Sequence, residues 1–248
     1  MEFNFIEELK RAPIAHRGYF NEVYPENSLG AMQRAVDNNF SIELDIQLTK
    51  DNKVVVFHDN DLKRMCGVDK MVKELTYDEI KELSLLDTNA TVPLFSEVLD
   101  IVAGKVFLVV ELKSVSGTQE KLVDLAIEML NKYEGKFVVQ SFDPRLVKQF
   151  RTKAPNYIRG QLVSDMKGDT NYSKLVSFLV KNIYTNVLSK PHFVNTHYDH
   201  YPRRIKAWHK KHTTICYTVR DEKLYPEMLN KYDAVIFEGF DPTPYFNK

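Results

Sequence analysis

A chain of 248 residues with 44% hydrophobic content can bury one large core, and α/β barrels fill this length as one unit, so 1–248 is read as a single domain. Lys+Arg 34 against Asp+Glu 34 leaves no formal charge, so no basic surplus drives counterion release and no nucleic-acid partner is expected. An acidic start over Glu2–Glu8, no run of membrane-spanning length, and only Cys66 and Cys216 without CxxC spacing point to a soluble cytoplasmic protein with no integral membrane segment, no disulfides and no zinc site.

In chain order, Ala12-Pro13-Ile14-Ala15 reads as a first strand closing on His16-Arg17. A second covers 41–48, where Ile42, Leu44, Ile46 and Leu48 alternate with Glu43 and Asp45, and a third covers 53–57 and closes on His58-Asp59. The polar turn Thr49–Asn52 leaves no room for a crossover helix, so these two pair as an antiparallel hairpin. That pairing sets residues near 45 opposite residues near 57, within a position or so, and brings His58 beside Asp45. Thr76 and Glu79 form a capping box for a helix near 76–83.

A strand over 105–112 ends on Glu111-Leu112-Lys113, and Leu122, Leu125, Ala126, Met129 and Leu130 give an amphipathic helix within 119–133. Further strands are read at 137–141, 157–163, 192–196, 213–219 and 233–237. Between the first two of these, Asp143-Pro144 caps a helix carrying Leu146, Val147 and Phe150. Strands alternating with helices give a parallel sheet wrapped by helices. Nine strand candidates are one more than an eight-fold barrel needs, and the hairpin strand is the surplus one.

Charged groups at the carboxyl ends of such strands are where α/β enzymes keep their chemistry. Glu43 and Asp45, two apart on a strand, point the same way. An isolated ExD pair is commonly a solvent-facing edge feature. Here the flanking apolar residues turn it inward, and two facing acids repel unless a cation lies between them. Glu111 offers a third carboxylate, and all-oxygen ligation suits Mg²⁺ or Ca²⁺. Lys113 shares the face of Glu111 and can hold a phosphate oxygen. His16 and His58 each close a strand and can exchange protons near neutral pH. His192, His197, His200, His209 and His212 lack that context.

The residues His16-Arg17-Gly18, Pro25-Glu26-Asn27-Ser28, Glu43-Leu44-Asp45, Val55-Val56-Phe57-His58-Asp59, Leu62 and Arg64 closely resemble the glycerophosphodiester phosphodiesterase family, whose ordered pattern is HR, ExD, HD. Glu74-Leu75-Thr76, Val92-Pro93-Leu94, Glu111-Leu112-Lys113 and Gln140-Ser141-Phe142 extend the resemblance over nearly the whole chain. It implies a distorted (β/α)₈ TIM barrel with a small insertion after the HD strand, at about 60–92. It also implies a divalent cation, Mg²⁺ or Ca²⁺, on Glu43, Asp45 and Glu111, with His16 and His58 as acid and base and Arg17 and Lys113 on the phosphate.

The implied substrates are glycerophosphodiesters such as glycerophosphocholine or glycerophosphoethanolamine, giving glycerol 3-phosphate and an alcohol. Direct hydrolysis and a cyclic phosphate route both stay open, as does oligomeric state. Tyr217-Thr218-Val219 stands where the family usually has Trp-Thr-Val, and Phe237-Glu238-Gly239-Phe240-Asp241-Pro242 replaces its usual Thr-Asp-x-Pro. Both departures fall on the implied alcohol side, where Tyr217 would serve as a substrate wall. A lysophospholipase D using Tyr19, Phe20, Tyr24, Met65 and Met71 as an apolar track, and a catalytically silent phosphodiester-binding barrel, are the alternatives.

Overall fold

A computed structural model describes residues 4–165 and 174–246 of the protein. Nine strands occur among them: β1 (Ile14–His16), β2 (Ser41–Leu48), β3 (Val54–Val56), β4 (Leu108–Leu112), β5 (Phe137–Ser141), β6 (Arg159–Val163), β7 (Phe193–His197), β8 (Thr213–Val219) and β9 (Ala234–Phe237). Helices separate most of them, as the alternating pattern requires. The chain divides into two compact units: residues up to Ile14 with those from Val138 onward, and Ala15–Phe137. No described helix is long and apolar enough to cross a membrane.

In the unit Ala15–Phe137, β2 lies at the centre of the pairing. It runs parallel to β4, with Glu43 opposite Val109 and Asp45 opposite Glu111, and antiparallel to β3, with Ile46 opposite Val56. Continuing the hairpin by one residue puts Phe57 opposite Asp45, and the Phe57 amide donates to the Asp45 carbonyl at 3.0 Å. The surplus strand is therefore the hairpin strand β3, in the expected register. Ile42, Leu44, Ile46 and Leu48 are all buried, and so are Glu43, Asp45 and Gln47 on the opposite face. A strand covered on both sides is apolar on one face and, here, deliberately polar on the other.

The hairpin turn is closed locally. The Lys53 amide donates to Thr49 Oγ1 at 2.9 Å, and Asn52 takes φ 60°, a left-handed value that Asn tolerates. The segment after β3 builds its own small core from Leu62, Met65, Val72, Leu75, Ile80, Leu85 and Val92, continuous with Val55 and Phe57. The Thr76–Glu79 capping box is present, but its helix is the single turn Tyr77–Ile80, shorter than the span 76–83.

In the other unit, β5 to β9 are parallel in sequential order, with Ser141 opposite Gln161, Leu162 opposite Asn195 and Asn195 opposite Ile215. The β8–β9 register shifts between Cys216 and Val219. Asp143 caps the helix Pro144–Lys153 by accepting from the Arg145 amide at 2.8 Å. Val163, Val180, Ile183, Val194 and Ile205 form one hydrophobic cluster.

Differences from expectation are of one kind. The strand expected over 105–112 is registered only from Leu108, although Val106 and Phe107 are buried and the Phe107 carbonyl accepts from the Ile42 amide at 2.9 Å. The helix Gln119–Leu130 stops short of 133 and buries Leu122, Val123, Ala126 and Leu130, leaving Leu125 and Met129 half-buried. Apolarity signals burial in each case, and hydrogen bonding sets the boundary.

Candidate active site

Three strand ends and one turn assemble the polar cluster within Ala15–Phe137. After β1 the chain reverses through Arg17 (φ 56°) and Gly18 (φ +79°). A Cβ on Gly18 would meet backbone and side-chain atoms of Ala31 at 3.0 Å, so only glycine fits there. This reversal aims the Arg17 amide at Glu43 Oε2 (3.1 Å) and the Gly18 amide at the Glu43 carbonyl (3.3 Å). Asn27, also left-handed at φ 58°, returns its amide to the Arg17 carbonyl at 2.9 Å. Its side chain donates from Nδ2 to Asp45 Oδ2 at 2.9 Å.

The β2–β4 register explains how the acids converge: Asp45 and Glu111 are direct partners across the ladder, and Glu43 is two residues back on the same face. Oxygens of Glu43, Asp45 and Glu111 lie within 4.8 Å of one another, and all three residues are buried. Two cations stand over them. Lys113 Nζ is 2.8 Å from Glu111 Oε1 and 3.4 Å from Asp45 Oδ1, and Arg17 Nε is 3.6 Å from Asp45 Oδ2. The Arg17 Nε atom has no hydrogen-bond partner within the described protein although it is buried. It is thus placed to receive an anionic oxygen.

The electrostatics divide the three acids. Burial, reinforced by Asp45 and Glu111, pushes the Glu43 carboxyl well above its ordinary value, against the pull of Arg17. Burial acts the same way on Asp45, but Lys113, His58, Arg17 and the Asn27 hydrogen bond hold it well below the usual carboxylate range. Burial likewise opposes the charges on Lys113 and Arg17. Glu111 and Asp45 outweigh it at Lys113, and Asp45, Glu26 and Glu43 outweigh it at Arg17, so both pKa values rise.

Three oxygen donors with a repelled, easily protonated member form a set that a hard divalent cation would complete, and it suits Mg²⁺ or Ca²⁺ better than zinc. Without a cation the Glu43 charge works against the fold. Glu43→Gln keeps an acceptor for the Arg17 amide and removes the repulsion, so it is expected to raise the stability of the metal-free protein by about 1 kcal/mol, roughly 2–4 °C in Tm. Thermal unfolding in chelator checks this, and a lower Tm would count against it.

Two histidines flank the cluster. His16 Nε2 is 3.9 Å from Glu43 Oε2. His58 pairs through Nδ1 with Asp59 Oδ1 at 2.6 Å, which leaves Nε2 as the nitrogen available for chemistry. The backbone around His58 is pinned by the buried Gln47, whose Nε2 donates to the carbonyls of Phe57 (2.9 Å) and Asp59 (2.8 Å). His16, Arg17, Glu43, Asp45, His58, Glu111 and Lys113 all belong to Ala15–Phe137, and the structure brings them together.

Tyr217 belongs to the other unit. There its hydroxyl donates to the Val163 carbonyl at 3.1 Å and its ring meets Phe142 and His197 edge-on; its part in substrate binding rests on the motif. Of the apolar track considered above, Met65 is buried in the core of the insertion, and Tyr19 packs against Phe40 under the Arg34 guanidinium.

Sequence reasoning gave no task to Glu26, Asn27, Gln47, Asp59 or Arg64. Four of them stand inside the quoted motifs, and Gln47 continues the inward face of β2 by the same two-residue step that placed Glu43 and Asp45.

Comparisons with known proteins identify the family. The model of the glycerophosphoryl diester phosphodiesterase family matches residues 16–238. A glycerophosphodiester phosphodiesterase of Caldanaerobacter subterraneus subsp. tengcongensis is 35% identical over 166 residues, covering 62% of this chain and 67% of that protein. Among solved structures, an Oleispira antarctica phosphodiesterase in complex with the product sn-glycerol-3-phosphate superposes with a TM-score of 0.78 over 94% of each chain at 22% identity. A glycerophosphodiester phosphodiesterase of Thermotoga maritima gives 0.70 over 91% of this chain and 94% of that one at 26% identity. These likenesses show the expected (β/α)₈ barrel fold. With the HR, ExD and HD residues gathered around one acidic cluster and the family model spanning nearly the whole sequence, the chain belongs to the glycerophosphoryl diester phosphodiesterase family and is an enzyme of glycerophosphodiester hydrolysis.

Proposed function

We propose that the enzyme cleaves small glycerophosphodiesters such as glycerophosphocholine and glycerophosphoethanolamine to glycerol 3-phosphate and the head-group alcohol, using one divalent cation on Glu43, Asp45 and Glu111. The observation that carries this reading is the buried triad of carboxylates within 4.8 Å of one another, overlaid by Lys113 and Arg17 and flanked by two imidazoles. When bound, the cation would supply charge stabilisation at a phosphoryl oxygen and ease deprotonation of the nucleophile.

The chain's own groups do the rest. Arg17, through its unpartnered Nε, and Lys113 take the remaining phosphoryl oxygens and offset the charge that grows on them. His16, adjoining Glu43, removes the proton of the nucleophile, which is water in direct hydrolysis or a neighbouring glycerol hydroxyl when a cyclic phosphate forms first and water then opens it, while His58 delivers a proton from Nε2 to the departing alkoxide. Asp59 supports that role by holding Nδ1, which fixes the ring and leaves Nε2 for the proton transfer.

Both units carry the family match, which supports the whole chain acting as one domain. The unpaired thiols Cys66 and Cys216 accord with residence in a reducing cytoplasm. A panel of glycerophosphodiesters assayed with Mg²⁺, Ca²⁺ or chelator tests the reading. Release of glycerol 3-phosphate that depends on added cation is expected. Turnover that survives exhaustive chelation, or none on any member of the panel, would overturn it.

A further inference from the structure

His58 is held by more than Asp59. Arg64, on the short helix Lys63–Cys66 of the insertion, donates from Nε to Asp59 Oδ2 at 2.6 Å and from Nη2 to Asp59 Oδ1 at 3.1 Å. The same guanidinium reaches Glu26, with Nη2 2.7 Å from Oε1 and Nη1 3.0 Å from Oε2. Glu26 Oε1 in turn accepts from Arg17 Nη1 at 2.6 Å. A continuous chain of ion pairs therefore runs Arg17, Glu26, Arg64, Asp59, His58, linking the guanidinium assigned to phosphate with the imidazole assigned to the leaving group.

The charge pattern is self-consistent along its length. Glu26 and Asp59 are each held below the usual carboxylate range: burial opposes this, and the bonds from Arg64, joined by Arg17 at one and His58 at the other, outweigh it. The two hydrogen-bonded acids in turn raise the Arg64 guanidinium.

Arg64 is poorly suited to a purely structural task. Its side chain is 47% exposed, so it fills little of the core, and its contacts go to two carboxylates that are themselves largely buried. What its planar fork does is immobilise both oxygens of Asp59, so that Oδ1 stays on His58 Nδ1 and the ring cannot turn Nε2 away. A lysine could supply the charge but not two carboxylates' worth of fixed directions.

We propose that Arg64 is a positioning residue for the leaving-group step: it acts through Asp59 to hold His58 in proton-donating orientation, and through Glu26 it ties that orientation to Arg17. The proposal rests on the reading of His58 as the general acid. It predicts a defect confined to substrates whose leaving group needs a proton. Choline departs as a strongly basic alkoxide and needs one; p-nitrophenolate does not.

The test compares two substrates with a common glycerophosphoryl half, glycerophosphocholine and glycerophospho-p-nitrophenol, in the wild type, Arg64→Ala, Arg64→Lys and His58→Ala. Arg64→Ala is expected to lower kcat on the choline ester by ~10–100-fold, as loss of a supporting outer partner commonly does. On the nitrophenyl ester the loss should stay within about 3-fold, with KM little changed on both. Arg64→Lys should resemble Arg64→Ala, because the fork is lost.

A misfolded or merely loosened variant would lose both activities together, and a substrate-binding arginine would show its loss in KM. Either result in a background where His58→Ala remains selective for the choline ester overturns the inference alone. If His58→Ala spares neither substrate selectively, His58 is not the acid and both readings fall.

Discussion

Replacing His58 by alanine is expected to lower kcat on glycerophosphocholine at least ~100-fold, the lower end of what a positioned general acid contributes. The imidazole stands at the end of β3, its Nδ1 occupied by Asp59 and its backbone gripped by Gln47, so little besides the proton donor is lost with the ring. Divalent-cation affinity should stay close to that of the wild type, because His58 is not among the clustered oxygen ligands. Steady-state kinetics alongside a calorimetric titration of Mg²⁺ or Ca²⁺ separates the two. Near-normal turnover in the variant would remove His58 from the chemistry.

The second large effect is expected at Asp45. Asp45→Asn retains an oxygen for the Asn27 amide but takes away the charge that faces Lys113 and Arg17. It also deletes an acid that its surroundings hold well below the usual carboxylate range. Cation binding should weaken by more than the roughly 10–100-fold that follows loss of an outer-sphere partner, and activity at saturating substrate should fall at least as far. Titration of the cation into the variant gives the answer directly. Unchanged affinity would show that Glu43 and Glu111 alone define the ion site, leaving Asp45 as a counter-ion for the two basic residues.

Much of the architecture was readable because its signals are local. The alternation of Ile42, Leu44, Ile46 and Leu48 with polar residues marked both ends of β2, and the short polar turn set the register of β3 to within a position or so. Caps at Thr76 and Asp143 were legible for the same reason. Boundaries that depend on pairing were not. Val106 and Phe107 look like strand and are buried, yet the strand itself starts at Leu108, with only the Phe107 carbonyl reaching β2.

The cluster residues were legible as a set, since any one carboxylate or imidazole has structural uses but their recurrence at successive strand ends does not. The chain Arg17, Glu26, Arg64, Asp59 was not, although every member was in view. It depends on side chains 38 positions apart meeting tip to tip between Glu26 and Arg64, and no periodicity encodes such a meeting.

The turn between β2 and β3 works as a ruler for the chemistry. Thr49 Oγ1 bonds Asp51 Oδ1 and receives the Lys53 amide, while Asp51 reaches out to cap Tyr77 and the Lys50 amide ties down to the Leu75 carbonyl. Its span decides which residue of the third strand lies abreast of Asp45. An insertion or deletion of one position there would invert the facing of everything from Val54 to His58 while leaving composition and helices untouched. The handful of residues from Thr49 to Lys53 is therefore a fixed gauge, and a chain with a different count there would give up this geometry of proton delivery.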